Sequence, residues 1–219
     1  MSRTVSHVIK ICGVTSADDI RAAVDAGATA IGFNFYRRSP RFLTLSQAQT
    51  LAEGVPAGID RVGVFVSPAT EELEAAVQSV PLDTIQLHGY VPAPLPASVR
   101  IWRALPVKED FHMEASDPNF EAYLLDTATP LHGGSGRTFN WKLAAAPVAR
   151  VILAGGLDAS NVADAIHTAH PWGVDACSRL ESAPGRKDPR RVTAFVEAAR
   201  AAFEEAAEFL DATLVKETA

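Results

Sequence analysis

Eight short apolar runs, each closed by a polar or glycine-bearing turn, recur along the 219 residues. In order they are Val8–Cys12, Ala30–Phe33, Arg61–Val66, Thr84–His88, Arg100–Ala104, Glu121–Leu125, Arg150–Ala154 and Gly173–Ala176. Each is too apolar for an antiparallel strand with one face in water, so the pattern predicts a parallel sheet covered on both sides. Closure of eight such strands into a (β/α)8 TIM barrel is the simplest outcome, with an open doubly wound sheet as the alternative.

The segments between the runs carry helix signals of uneven strength. Ser16 and Asp19 read as a capping box for an Ala-rich helix ending at Gly27. Ser46 caps a second helix, and Ser67-Pro68 with Glu71 and Glu72 opens a third as N-cap, N1 proline and dipole-matched acids. Ser160 caps a helix over Asn161–Thr168, and an Ala- and Glu-rich helix runs from Asp188 to about Phe209. Pro92, Pro94 and Pro96, and the absence of a clean stripe from Lys108 to Asn119, predict irregular connections after strands four and five. The whole of 1–219 reads as one domain, with Asp211–Ala219 as a frayed tail.

A net charge of −6 without a basic run argues against nucleic acid or an anionic membrane as partner, so an anionic ligand must be held locally. No apolar run approaches the ~20 residues of a membrane span, and the N-terminus lacks the apolar core of a signal peptide. Two cysteines, Cys12 and Cys177, supply neither a disulfide framework nor a metal knuckle, so a reduced, cytoplasmic protein is expected. None of the six histidines has ligand spacing to a second His or Cys, so no metal is expected.

In a parallel barrel the chemistry gathers where strands end, which here means Cys12, His88, Arg103, Asp126, Gly155-Gly156 and Asp175. Period-2 alternation puts Lys10 on the face of Cys12 and Gln86 on that of His88. If those faces point inward, Lys10 and Arg103 stand against Asp126 and Asp175 as a charge-balanced interior set. A thiol of pKa ~8.5 is a few per cent thiolate at neutral pH, and Lys10 could tune Cys12 into a base or nucleophile; the plain alternative is a small buried hydrophobe. Asp126 is either a general acid raised by burial or an ion-pair partner, and spacing does not separate the two. After it, Gly133-Gly134-Ser135-Gly136 leads to a helix opened by Asn140, a backbone able to wrap an anion or close over a ligand. Gly155-Gly156 and Cys177-Ser178-Arg179 follow strands seven and eight, where barrels commonly hold phosphate on backbone N–H groups. Closure would also bring Cys177 beside Cys12.

The ordered set KICGVT at 10–15, GFNFYRRSPR at 32–41, VGVFV at 62–66, QLHG at 86–89, LLDT at 124–127, GGSGRTFNW at 133–141, LAGGL at 153–157 and VDACSRLESAPGRKD at 174–188 closely resembles phosphoribosylanthranilate isomerases of tryptophan biosynthesis. The resemblance runs from Val8 to about Phe203 and implies a (β/α)8 barrel catalysing, without metal or cofactor, an Amadori rearrangement. The substrate is N-(5-phosphoribosyl)anthranilate, the product 1-(2-carboxyphenylamino)-1-deoxyribulose 5-phosphate. It implies Cys12 as the general base at ribose C2, Asp126 as the general acid on the ring oxygen, and Arg41 on the anthranilate carboxylate. Gly155, Gly156, Ser178 and Arg179 would hold the phosphate, and His88 and Asp175 complete the candidate substrate-binding set. A monomer or homodimer acting on this small molecule is expected. The loop after strand eight departs from the family's Asp-Val-Ser-Ser-Gly-Val-Glu, chiefly in Arg179, the one motive for an alternative reading as a non-catalytic phosphosugar-binding barrel.

Overall fold

Each strand divides its side chains between two apolar layers. In Val8–Cys12, Ile9 and Ile11 pack outward against the helices, while Val8 joins a second cluster inside the barrel with Val62, Trp102, Leu124 and Ile152. This is the two-sided burial that the near-continuous apolar runs require. The structure is a computed structural model, and it describes residues 7–113, 116–128, 138–145 and 149–217, the last stretch as backbone alone beyond Glu208.

The strands are β1 (Val8–Cys12), β2 (Ala30–Asn34), β3 (Asp60–Val66), β4 (Thr84–His88), β5 (Arg100–Val107), β6 (Ala122–Thr127), β7 (Val151–Leu153) and β8 (Gly173–Ala176). They form a closed parallel barrel in chain order, and β8 returns to β1 in the register Val8↔Gly173 through Ile11↔Ala176. The expected (β/α)8 barrel is therefore the fold. Helices α1 (Ala17–Ala26), α2 (Leu45–Glu53) and α3 (Thr70–Ser79) follow the first three strands, α4 (Val162–Ala169) follows β7, and α5 (Pro189–Glu217) closes the chain. Among the described residues no helix follows β4 or β5, and β6 is followed only by a 3-10 turn, Trp141–Ala144. A small antiparallel pair, β9 (Glu181–Ala183) and β10 (Arg186–Lys187), stands over the mouth after β8. Among the described residues no helix is long and apolar enough to cross a membrane.

Trp102 fills the lower barrel. It is fully buried, and Ala30, Ala104 and Ala122 around it supply the small side chains that so large a ring needs for close packing. Its indole N–H donates to Glu121 at 3.0 Å, so the one polar atom of the plug is satisfied at the barrel's N-terminal rim. That rim carries a ring of ion pairs, Arg61–Asp83 at 2.8 Å, Arg100–Asp60 at 2.7 Å and Arg150–Glu121 at 3.3 Å.

Several expected caps moved. Ser16 does accept from Asp19 N–H, but the Asp19 carboxylate turns to Thr15 N–H and Lys187 N–H instead of closing the box, and so ties β10 to the start of α1. Thr44, not Ser46, caps α2, with Gln47 completing the box. The chain leaves its bridge between Asn34 and Phe42 just before that point, and Thr44 is the first available cap. Ser67 does not cap α3: it takes a left-handed φ of 47° and its hydroxyl accepts from Tyr90 N–H, fastening the loop after β4, while Glu72 accepts from Ala69 N–H. Asn161, not Ser160, precedes α4. Asn140 caps its short turn as expected, accepting from Lys142 N–H.

Candidate active site

The C-terminal mouth of the barrel encloses a pocket of about 410 Å³, a size suited to one small molecule. All nine candidate residues line it. The glycine-rich segment 133–137, by contrast, lies outside the described residues.

On the floor, Lys10 donates to Asp175 at 2.8 Å, both nearly or wholly buried and paired across the β1–β8 seam. Burial opposes the lysine's charge, but Asp175 and Cys12 outweigh it and raise the ammonium above its usual range. Arg103 is not part of this set. Trp102 and Ala104 face the interior, so alternation turns Arg103 outward, where it donates to Leu87 C=O at 3.3 Å. Beside the Lys10–Asp175 pair stands a second carboxyl, Asp126, brought inward by the parity of Leu124. Burial, helped by the Asp175 charge, pushes Asp126 up to about 7, with a Thr127 N–H bond pulling the other way. A carboxyl of that kind is part protonated at neutral pH and can donate.

Beside Asp126, Gly155 and Gly156 take φ of 84° and 65°. A Cβ at Gly155 would stand 2.8 Å from both Asp126 Oδ1 and Thr127 N, so only glycine brings this turn so close to the acid. Asn161 fastens the turn from the far side: its side-chain N–H donates to Gly156 C=O and its side-chain oxygen accepts from Asp158 N–H, both at 2.9 Å. Ser178 and Arg179 occupy the 3-10 turn after β8, where Arg179 Nη1 donates to Asp158 Oδ2 at 2.7 Å. Its φ is not positive, so the backbone accepts the arginine without left-handed strain. On the opposite wall, the Gln86 side-chain amide lies 2.8 Å from His88 Nε2.

What holds Arg41 is not legible in the sequence. Its Nε and Nη2 donate to the two Glu181 oxygens at 2.6 and 2.7 Å, and its stem packs on Gly13, where a side chain would collide with it. A guanidinium has five N–H donors, so this clamp uses two and leaves three to meet a ligand in the pocket. Lys187, also buried, donates to Glu181 Oε1 at 3.0 Å. Burial favours a neutral Glu181, but Arg41 and Lys187 outweigh it and hold the carboxyl below its usual range. The segment Glu181–Asp188 is legible as a motif, yet nothing in its spacing shows that it folds back as β9 and β10 over Arg41.

Cys12 and Cys177 meet on this same side. Their thiols interact, and Lys187 Nζ lies 3.8 Å from Cys177 Sγ. The neighbouring Cys177 sulfur, with burial, raises the Cys12 thiol well above its ordinary value. The Cys12 thiol in turn lowers Cys177 to about 7, with Lys187 and Arg41 adding to the effect against burial.

The family model of N-(5'phosphoribosyl)anthranilate (PRA) isomerase matches residues 9–198 of this chain. An N-(5'-phosphoribosyl)anthranilate isomerase from Solibacter usitatus is 50% identical over 198 residues, 89% of this chain and 98% of its own. The crystal structure of phosphoribosyl anthranilate isomerase from Thermotoga maritima matches with a TM-score of 0.79 at 32% identity, over 90% of this chain and all 100% of that one. A phosphoribosyl anthranilate isomerase in complex with reduced 1-(o-carboxyphenylamino)-1-deoxyribulose 5-phosphate matches with a TM-score of 0.73 at 28% identity, over 90% and 100%.

Proposed function

The chain belongs to the phosphoribosylanthranilate isomerase family, and from that premise we propose that Cys12 and Asp126 carry the two proton transfers of its reaction. The enzyme is an aldose–ketose isomerase that converts N-(5'-phosphoribosyl)anthranilate to 1-(2-carboxyphenylamino)-1-deoxyribulose 5-phosphate in tryptophan biosynthesis.

Opening the ribose ring needs a proton on the leaving ring oxygen. Asp126, in the pocket and raised to about 7, supplies it and regains a proton readily at neutral pH for the next cycle. The Schiff base that results acidifies the C2–H, which a thiolate then removes. Cys12 does this once its own proton has crossed to the Cys177 sulfur that accepts it; Lys10 favours the thiolate so formed. Removing the C2 proton sends its electron pair to the Schiff-base nitrogen, which already carries its hydrogen, and gives the enaminol; that species gains a proton at C1 and loses the one on the C2 hydroxyl to become the aminoketose.

The remaining donors of Arg41 meet the anthranilate carboxylate, and Glu181 and Lys187 hold that guanidinium at a fixed angle. The phosphate lies against Gly155, Gly156 and the Ser178–Arg179 turn. His88 and Asp175 border the sugar, Asp175 chiefly by placing Lys10.

The observation that carries this reading is the convergence of a raised carboxyl, a thiol pair and a clamped guanidinium in one pocket. The test is the decay of substrate fluorescence on adding purified protein, followed by the same assay on Cys12→Ala and Asp126→Asn. Wild-type turnover in either variant would remove that residue from the mechanism. Arg179 no longer favours a non-catalytic barrel, because it fits its backbone and leaves the acid and base in place.

A further inference from the structure

The last pairing on the β1–β8 seam is Ile11↔Ala176; β1 ends on Cys12 at the next residue, and Cys177 directly follows β8. Adjacent strands lie about 4.8 Å apart, inside the roughly 4.4–6.8 Å of Cα separation that a disulfide spans. Both cysteines line the pocket, and each thiol shifts the other's proton affinity. Lys187, 3.8 Å from Cys177 Sγ, and Arg41 give that sulfur a cationic surrounding, the setting in which a thiol becomes a reactive thiolate.

From this placement we infer that Cys12 and Cys177 form an oxidation site, in which peroxide entering the substrate pocket joins the two thiols as a reversible disulfide and switches the enzyme off. The inference rests on the reading of Cys12 as the general base. The Cys177 thiolate attacks one oxygen of hydrogen peroxide; the O–O bond breaks, hydroxide leaves and takes a proton as water, and Cys177 becomes a sulfenic acid. The Cys12 sulfur, giving up its proton, attacks the sulfenic sulfur; the S–O bond breaks and a second water departs. Two electrons pass from the two thiols to peroxide, and a dithiol reductant reverses the step. Closing the bond removes the base and leaves the phosphate turn and Arg41 in place, so turnover is lost before binding.

The test treats the full-length enzyme with hydrogen peroxide and follows intact mass, peptide linkage and activity, with Cys177→Ser in parallel and Cys177→Ala as a second variant, folding of each checked by circular dichroism. The expected wild-type result is loss of two hydrogens, a Cys12–Cys177 linked peptide, and a fall in kcat of the ~10²-fold that loss of a positioned base brings, all reversed by dithiothreitol. In the variants the linked peptide is absent and any mass change is a gain of oxygen. A wild-type protein that gains oxygen without the linkage overturns the oxidation site. A linked protein that keeps its activity shows instead that Cys12 is not the base, and overturns the switch with it.

Discussion

The two ends of the barrel use the same residue types to opposite effect. At the N-terminal rim Arg61 meets Asp83, and Arg100 meets Asp60, with side chains 29–40% exposed. Burial would raise Asp83, but its bonds from Arg61 outweigh that and hold the carboxyl below the usual range. At the C-terminal mouth Asp126 is taken from water beside a second carboxylate, and is pushed up to about 7. The mouth has a cation, Lys10, but Asp175 holds it. The contrast teaches that a carboxyl becomes a proton donor when the nearby cation already has a closer partner; where each acid has its own arginine, charge serves only to fasten strand ends.

The sharpest break of this contrast is to remove the cation from the mouth. Lys10→Met would leave Asp175 charged in the interior, and is expected to cost about 3–5 kcal/mol of stability, read from urea unfolding. Loss of under about 1 kcal/mol would mean that the pair behaves like one at the surface.

Next come the proposed acid and base. Asp126→Asn and Cys12→Ala should each lower kcat by ~10²-fold or more with little change in KM. Activity that needs a protonated Asp126 falls as pH rises through about 7, and that falling limb is absent in Asp126→Asn. The same group bears on stability. Its folded pKa lies above its unfolded value of about 3.9, so the native state binds more protons and stability falls as pH rises from about 4 towards 7. Asp126→Asn should therefore gain stability over wild type across that window; equal slopes for the two proteins would show that Asp126 is not raised.

Arg41→Ala should raise KM more than it lowers kcat, since a clamp on the carboxylate acts alike on ground and transition states. An unchanged KM in steady-state assays would place the carboxylate elsewhere in the pocket, with Arg38 the next cation on its lining.

The smallest effect belongs to the rim. Asp83→Asn should cost no more than about 1 kcal/mol and leave kcat alone, as partly exposed pairs do. Its lowered carboxyl contributes stability that is present above the unfolded pKa and lost as pH falls through the folded one, the reverse of Asp126. Parallel acid titrations of the two Asn variants would show slopes of opposite sign if the two ends differ as described.

The sequence by itself determined the strands, the barrel class and the strand ends at which Cys12, His88, Asp126 and Asp175 stand. Apolar runs and their period are local, and burial on both faces leaves few ways to satisfy them. It also predicted the missing helices after β4, because proline acts on its own backbone, and after β5, where 108–119 carries no apolar stripe. Only the tertiary structure decided which face of each strand looks inward: Trp102 claims the interior of β5 and so expels Arg103. Only barrel closure joined Lys10 to Asp175 and Arg41 to Glu181, 165 and 140 residues apart. The caps at Thr44 and Asn161 shifted for a related reason. Thr44 follows directly on the bridge from Asn34 to Phe42, and the Asn161 side chain was drawn to the backbone of the Gly155–Gly156 turn. A polar side chain will bond to any partner within reach, and what comes within reach is set by the register of distant strands.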